Sequence, residues 1–414
     1  MSQPTRILLS LIVGLAAGIV AAASGGAWVA PAADVAQPIG EAWLAGLKMT
    51  IVPLIVALLI TGVAATAETA RSGRLAARAL TLFMTLLVIS SALAAVIMPA
   101  ILALWPLDPA AGGALRRALA GAQPTGPMPG FTEFMKAIIP TNPIAAAAND
   151  AILPLIIFTM AMAFAITRLP AERRTLLVDF FQAVADAMLV VINWVLALAP
   201  IGVAALAFVV GARAGTAAVG ALLHYIVTYS AVGLIIGLLA YPLVLIAGRV
   251  PLGRFARAVA PAQAVAISTQ SSLASLPAMI KGAEGLALPK PVSGVVLPLA
   301  VAVFRITAPP MNLAVILYIA HWYGLALSPL QIVAAVAAAS VTTFSGVGLP
   351  GQVSYVASVA PIGLAIGVPV EALGLLIAVE TIPDIFRTLG NVTMDVAVTA
   401  ILSRGAAAED VTVG

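Results

Sequence analysis

Apolar residues run along this chain in blocks long enough to cross a bilayer, and polar residues gather in short clusters between them. Stretches such as ILLSLIVGLAAGIVAAA and TLLVISSALAAVIMPAILALW approach or exceed the ~20 residues that a spanning helix needs. Alternation of period two is missing, which argues against a membrane β-barrel. The blocks predict helices near residues 6–29, 39–66, 73–105, 130–167, 172–211 and 216–248, followed by a more broken region from 252 to 403.

That broken region holds two similar segments, AISTQSSLASLPAMI (266–280) and VTTFSGVGLPGQVSY (341–355). Each has apolar flanks too short to cross twice, a Ser/Thr/Gly tip and a following Leu-Pro. Pro277 and Pro350 end or kink a helix at the preceding residue, and small residues let the backbone open toward a ligand. The reading is two re-entrant helical hairpins, over 252–288 and 328–366, each followed by one long span, over 291–322 and 368–403. A hairpin–helix unit that occurs twice marks an internal repeat of a transporter, whose broken helices aim their termini at a midplane site. The alternative is a pair of Gly/Pro-kinked loops packed for structural reasons.

The last span departs from its apolar surroundings. VETIPDIFRTLGNVTMD carries Glu380, Asp384, Arg387, Asn391 and Asp395 at steps of four, three, four and four. On a helix these positions fall within roughly 80° of arc. Ionisable groups inside a span mark a functional site by default. The plainer alternative is that Asp384 and Arg387 only pair with each other. Pro383 removes a hydrogen bond to the Val379 carbonyl and is expected to loosen the helix just before Asp384.

Composition agrees with the membrane reading. The chain is 62% hydrophobic and 9% charged, against about 25% charged for an ordinary globular protein. It has no cysteine, which excludes disulfide and thiol chemistry, and its two histidines, His224 and His321, are too few for a metal cluster and are expected near helix ends. The basic residues are mostly loop residues, so they report topology and not a nucleic-acid partner. Arg71, Arg74 and Arg78, then Arg168, Arg173 and Arg174, then Arg249, Arg254 and Arg257, and finally Arg404 place both termini in the cytoplasm by the positive-inside rule. Arg116 and Arg117 fall on the other side, against that rule. Only Arg6 precedes the first apolar block, and more spans follow it, so it reads as a span and not as a cleaved leader. An intramembrane hydrolase with Ser271 or Ser272 as nucleophile lacks a histidine or lysine placed as base. The chain is therefore read as a carrier and not as an enzyme, with a passive channel as the competing class.

The segments IIPTNPIAAAANDAILPLIIF (138–158), LAPIGVAALAF (198–208), TQSSLASLP, GLPGQ and DIFRTLGNVTMD together resemble the dicarboxylate/amino acid:cation symporters, which include the glutamate transporters. The likeness covers nearly the whole chain. It implies an all-α polytopic protein of eight transmembrane helices and two re-entrant hairpins, built from inverted repeats, forming a homotrimer in a bacterial cytoplasmic membrane. It implies a scaffold over 1–72 and 107–211, and a transport domain over 73–106 and 212–414 that moves as an elevator with the second hairpin as gate. Residue by residue, it implies that Asp384 meets the substrate's α-ammonium, that Arg387 forks onto its distal carboxylate, and that Asn391 holds the α-carboxylate together with the backbone at Ser271 and Ser272. Gly348, Leu349, Gly351 and Thr388 complete the implied substrate site. The substrate so described is a small anion, L-aspartate or L-glutamate, and no cofactor is implied.

One segment departs from the family. Where the relatives carry Asn-Met-Asp-Gly-Thr, whose groups coordinate sodium, this chain has Phe304, Arg305, Ile306, Thr307 and Ala308, and Phe83 stands where they have a cation-site tyrosine. Hard cations want several oxygen ligands, and these side chains offer few. Asp395, the other cation-site acid, is kept. The exchange removes one acid and adds Arg305, a tethered substitute for bound sodium expected to pair with Asp395 or Glu380. The alternative is that Arg305 snorkels to the membrane edge. Sodium coupling is thus expected to be weakened or lost, with proton coupling through Glu380 or Asp384 as the second possibility.

Overall fold

The computed structural model describes residues 3–71, 73–108, 112–113, 139–149, 151–343 and 351–410. It is 84% helix, with no strand among the described residues. The first apolar block forms α1 (Gln3–Ser24). The second is longer than expected and bent, as α2 (Val29–Lys48) and α3 (Ile51–Arg71). The bend falls at Met49–Thr50, where Thr50 Oγ1 donates back to the Leu47 carbonyl at 2.8 Å and Pro53 has no N–H for the carbonyl of Met49. α4 (Arg74–Leu104) follows the expected bounds. Of the helix expected over 130–167, residues 130–138 lie outside the described residues. The rest forms α5 (Pro143–Ala148), capped by Asn142, and α6 (Ile152–Ile166). The block at 172–211 divides into α7 (Ala171–Ala197) and α8 (Ala199–Ala214), where Pro200 leaves the Leu196 carbonyl without its helical donor. α9 (Ala217–Leu238) and α10 (Ala240–Ile246) complete the sixth block.

The two Ser/Thr/Gly segments are flanked by paired helices. α11 (Leu252–Thr269) packs on α12 (Ser272–Gly285). Between them Gln270 is left-handed, with φ 51°, and Ser271 Oγ accepts the Ala274 N–H at 3.2 Å, an N-cap that starts α12. After α13 (Lys290–Val303) and α14 (Ala308–Tyr323), α15 (Pro329–Thr342) packs on α16 (Gly351–Ile366). α15 opens with a capping box between Ser328 and Gln331. α17 (Leu373–Leu376) and α18 (Thr381–Asp410) end the described chain. The span expected over 291–322 is thus two helices. Pro309 and Pro310 carry no N–H for the carbonyls of Arg305 and Ile306, so the helix stops at Val303 and restarts at Ala308. The span expected over 368–403 begins later, at Thr381, behind the short α17.

α1 and α2 pack on α8, and α3 packs on α6 and α7. Separately, α18 is surrounded by α9, α11, α12 and α13, while α14 packs on α4, α9 and α16. Residues 306–320 and 390–400 are buried throughout, so α14 and the middle of α18 are core segments, α14 being apolar on nearly every side. α3–α4 packing, contacts of α16 with α3 and α6, and the 2.5 Å ion pair between Lys48 and Glu371 join the two groups. Seven stretches among the described residues are long and apolar enough to cross a membrane, and Ile152–Ile166, Ala199–Ala214 and Pro329–Thr342 are shorter apolar helices.

Candidate substrate site

Pro383 sets the geometry of the charged segment. The Val379 carbonyl, which Pro383 cannot bond, accepts the Ile382 N–H at 3.2 Å, and the Asp384 N–H reaches the Glu380 carbonyl at 3.0 Å. The chain turns through 377–380 and becomes helical at Thr381, with Pro383 in the first turn, where its missing donor costs little. Glu380 therefore precedes the helix, while Asp384, Arg387, Asn391 and Asp395 lie on it.

Arg387 is the centre of the site and is 3% exposed. Its Nη2 donates to Glu380 Oε1 at 2.6 Å and to the Tyr229 hydroxyl, and its Nη1 donates to Asn312 Oδ1 at 3.0 Å. Nε lies 3.4 Å from Asp384 Oδ1. The Tyr229 hydroxyl in turn donates to Glu380 Oε1 at 3.2 Å, and the guanidinium carbon sits 5.9 Å from the centre of the Tyr229 ring. Charge-assisted bonds of this kind are about twice as strong as neutral ones. Glu380 Oε2 and Asn312 Nδ2 are buried without a hydrogen-bond partner.

The sequence of α9 explains how Tyr229 arrives there. Tyr225, Tyr229, Gly233 and Gly237 recur every four residues and so share one helix face. A Cβ at Gly237 would lie 2.8 Å from Gly390 Cα. The bare glycines let α9 and α18 touch backbone to backbone, which brings the tyrosines onto the charged stripe. Tyr225 stacks on Tyr229 and meets the Tyr355 hydroxyl of α16 at 3.1 Å.

Asn391 Oδ1 accepts from the Thr307 N–H at 3.0 Å, and Thr307 Oγ1 lies 2.8 Å from it and 2.7 Å from the Arg387 carbonyl. Thr388 is buried. Gln270 Nε2 donates to the Thr381 carbonyl at 3.0 Å, so the Ser271–Ser272 turn is tied to the start of α18. Gly351 opens α16; Gly348 and Leu349 lie outside the described residues. Arg305 stands in the α13–α14 break, half-buried and within Coulombic reach of Asp384 and Arg387. Glu380 takes Arg387, and Asp395, 1% exposed, has no partner for Oδ1.

Phe83, Phe304 and Ile306, expected at the family's sodium-ligand positions, pack in apolar surroundings. Phe83 and Phe304, both fully buried, stack with ring centres 4.4 Å apart and planes 18° apart. Ile306 lines a cavity of about 360 Å³ whose other walls include Leu86, Ser90, Ile236 and Met394. Thr307 bonds to Asn391 and to the Arg387 carbonyl on α18.

Three site residues were not picked out from the sequence: Tyr229, Asn312 and Thr307. Tyr229 and Asn312 are polar groups within apolar helices, a signal of the same kind as the charged stripe but weaker. His224, expected near a helix end, lies two turns inside α9, buried between the Tyr318 hydroxyl (3.0 Å) and the Trp105 carbonyl (2.8 Å).

A helical bundle with seven stretches long and apolar enough to cross a membrane, and a buried, hydrogen-bonded arginine between two acids, is consistent with a polytopic membrane transporter. Residues 4–404 match the Sodium:dicarboxylate symporter family, and the chain belongs to it. It is 26% identical to the Proton/glutamate-aspartate symporter of Escherichia coli (strain K12), over 89% of this chain and 84% of that protein. It is 27% identical to the Proton/sodium-glutamate symport protein of Bacillus subtilis (strain 168), over 97% and 92%. It is 25% identical to the C4-dicarboxylate transport protein of Anaeromyxobacter sp. (strain K), over 96% and 88%.

Proposed function

We propose that the protein is a secondary carrier for an acidic amino acid, L-aspartate or L-glutamate, whose substrate binding does not need sodium. The observation that carries the reading is the buried pairing of Arg387 with Asp384 and Glu380. A guanidinium receives the distal carboxylate as a planar pair, and Asp384 receives the ammonium. A plain dicarboxylate would gain little from Asp384, and a neutral amino acid would leave Arg387 without a ligand. The serine turn at Ser271–Ser272, Gly348, Leu349 and Gly351 of the second hairpin, Thr388 and Asn391 complete the site. The grouping of α1, α2, α3, α6, α7 and α8 on one hand and of α4 and α9–α18 on the other, joined mainly at α3–α4 and through α16, supports a scaffold and a transport domain that slides as an elevator. The carrier is a homotrimer in the cytoplasmic membrane, with both termini inside. Sodium independence is supported by the Phe83–Phe304 stack and by Ile306 at the place of the family's carboxylate. Uptake of labelled L-aspartate, L-glutamate and succinate into proteoliposomes, under a sodium gradient, a proton gradient or none, tests this. L-aspartate or L-glutamate should accumulate without sodium; accumulation of succinate alone would favour a C4-dicarboxylate carrier.

A further inference from the structure

We propose that Glu371 and the short α17 form a latch that holds the transport domain against the scaffold, with Lys48, Leu44 and Leu206 as its catch. The proposal rests on the reading of the two helix groups as domains that slide past each other. α17 lies next to α18 in sequence, yet it packs on α8, and its Gly374 faces α2 and α8 together. A Cβ at Gly374 would lie 3.1 Å from Leu206 Cδ1 and 3.2 Å from Leu44 Cδ1, so the bare glycine lets α17 sit in the corner between two scaffold helices. Leu44 and Leu206 are buried. Lys48 stands one turn beyond Leu44 on α2. Glu371 stands one turn before Gly374, whose N–H donates to the Glu371 carbonyl at 3.2 Å. Lys48 Nζ meets Glu371 Oε1 at 2.5 Å. The apolar corner and the ion pair are thus two points of one seam, one turn apart on both sides, and together they fix the height of one group against the other.

The seam is built to part. The Lys48 and Glu371 side chains are 38% and 32% exposed, so water can take over each charge when they separate. The Arg387–Glu380 pair, at 4% for each side chain, has no such relief. Lys48 also lies in the last turn of α2, where the negative end of the helix favours a cation with or without a partner. A partly exposed pair of this kind changes a population by a small factor, which suits a contact made and broken in every cycle. Sliding would carry α17 along α2, so the ion pair and the glycine corner must release together. Packed interfaces of this kind shift between discrete arrangements and do not deform continuously.

The chain has no cysteine, so a pair of spin labels can be placed without background. Ala27→Cys, in the exposed turn between α1 and α2, and Lys290→Cys, at the exposed start of α13, report the distance between the groups. The full chain is measured in liposomes, diluted with unlabelled chain. Without substrate the labelled parent should show one dominant distance. Lys48→Gln and Glu371→Gln should each raise the share of a second distance about two- to fivefold, and combining them should add little. Exchanging the charges, Lys48→Glu with Glu371→Lys, should restore the parent's distribution, which neither reversal does alone. Potassium chloride at about 1 M should move the parent toward the Gln variants and leave the double Gln variant where it was. Gly374→Val, pressed against Leu44 and Leu206, should raise the second share in low and high salt alike. The salt series on the parent decides where a variant fails to fold. If the Gln variants keep the parent's distribution while added L-aspartate shifts the parent, or if salt leaves the parent unmoved while L-aspartate shifts it, the groups slide but the seam is not a latch. If no variant, salt or substrate yields a second distance, the sliding reading falls first, and the latch with it.

Discussion

At Arg387, each guanidinium nitrogen already faces an oxygen of the protein itself: Glu380 and Tyr229 at Nη2, Asn312 at Nη1, and Asp384 3.4 Å from Nε. This makes the residue both the proposed substrate receptor and the counter-ion of a buried acid, so its removal has two separable effects. Truncating one partner of a buried charge pair costs about 2–5 kcal/mol. Arg387→Ala should weaken L-aspartate binding by roughly 30-fold or more by calorimetry; unchanged affinity would remove Arg387 from recognition. The same variant leaves Glu380 buried without its cation, a loss of about 3–5 kcal/mol that should appear as a lower melting temperature of the empty protein. Asp384 separates amino acids from dicarboxylates. Asp384→Asn should weaken L-aspartate far more than succinate, and equal losses would show that no ammonium sits there.

At the scale of elements, the helix breaks were the less legible part of the sequence. Over 252–288 the chain forms two paired helices, Leu252–Thr269 and Ser272–Gly285, and the turn between them was legible because a left-handed Gln270 and a Ser271 cap are local devices that the Ser/Thr/Gly tip advertises. The division at 304–307 was missed, although Pro309–Pro310 announces it, because hydropathy runs through the break without interruption. The charged stripe was legible as a stripe. Its partners Tyr229 and Asn312 were not, because they come from α9 and α14, and only tertiary packing through Gly237 and Gly390 brings them together. That contact is testable. Gly237→Val would press a side chain into Gly390, an overpacking worth about 1–3 kcal/mol, and should lower both the melting temperature and L-aspartate affinity by displacing Tyr229. At the α13–α14 break, Arg305→Met removes a cation within reach of Asp384 and Arg387. It should weaken substrate binding in every salt, with only partial rescue by sodium, and parent-like behaviour would make Arg305 a bystander.

At the scale of the whole molecule, the exchanges at Phe83, Phe304 and Ile306 act together. Phe83 and Phe304 form a ring stack and Ile306 an apolar wall, which in the proposed reading stand where relatives place cation ligands, while Arg305 supplies fixed positive charge. The trimer proposed from the family should give a trimer mass by native mass spectrometry in gentle detergent, and a monomer would contradict it. Sodium linkage bears on the whole account. Coupled ligands tighten each other by the same factor, so calorimetric titration of L-aspartate in choline buffer and in sodium buffer, at one pH, reads any sodium coupling at equilibrium. The account predicts nearly equal affinities. A tenfold or larger gain in sodium, about 1.4 kcal/mol of coupling, would contradict it.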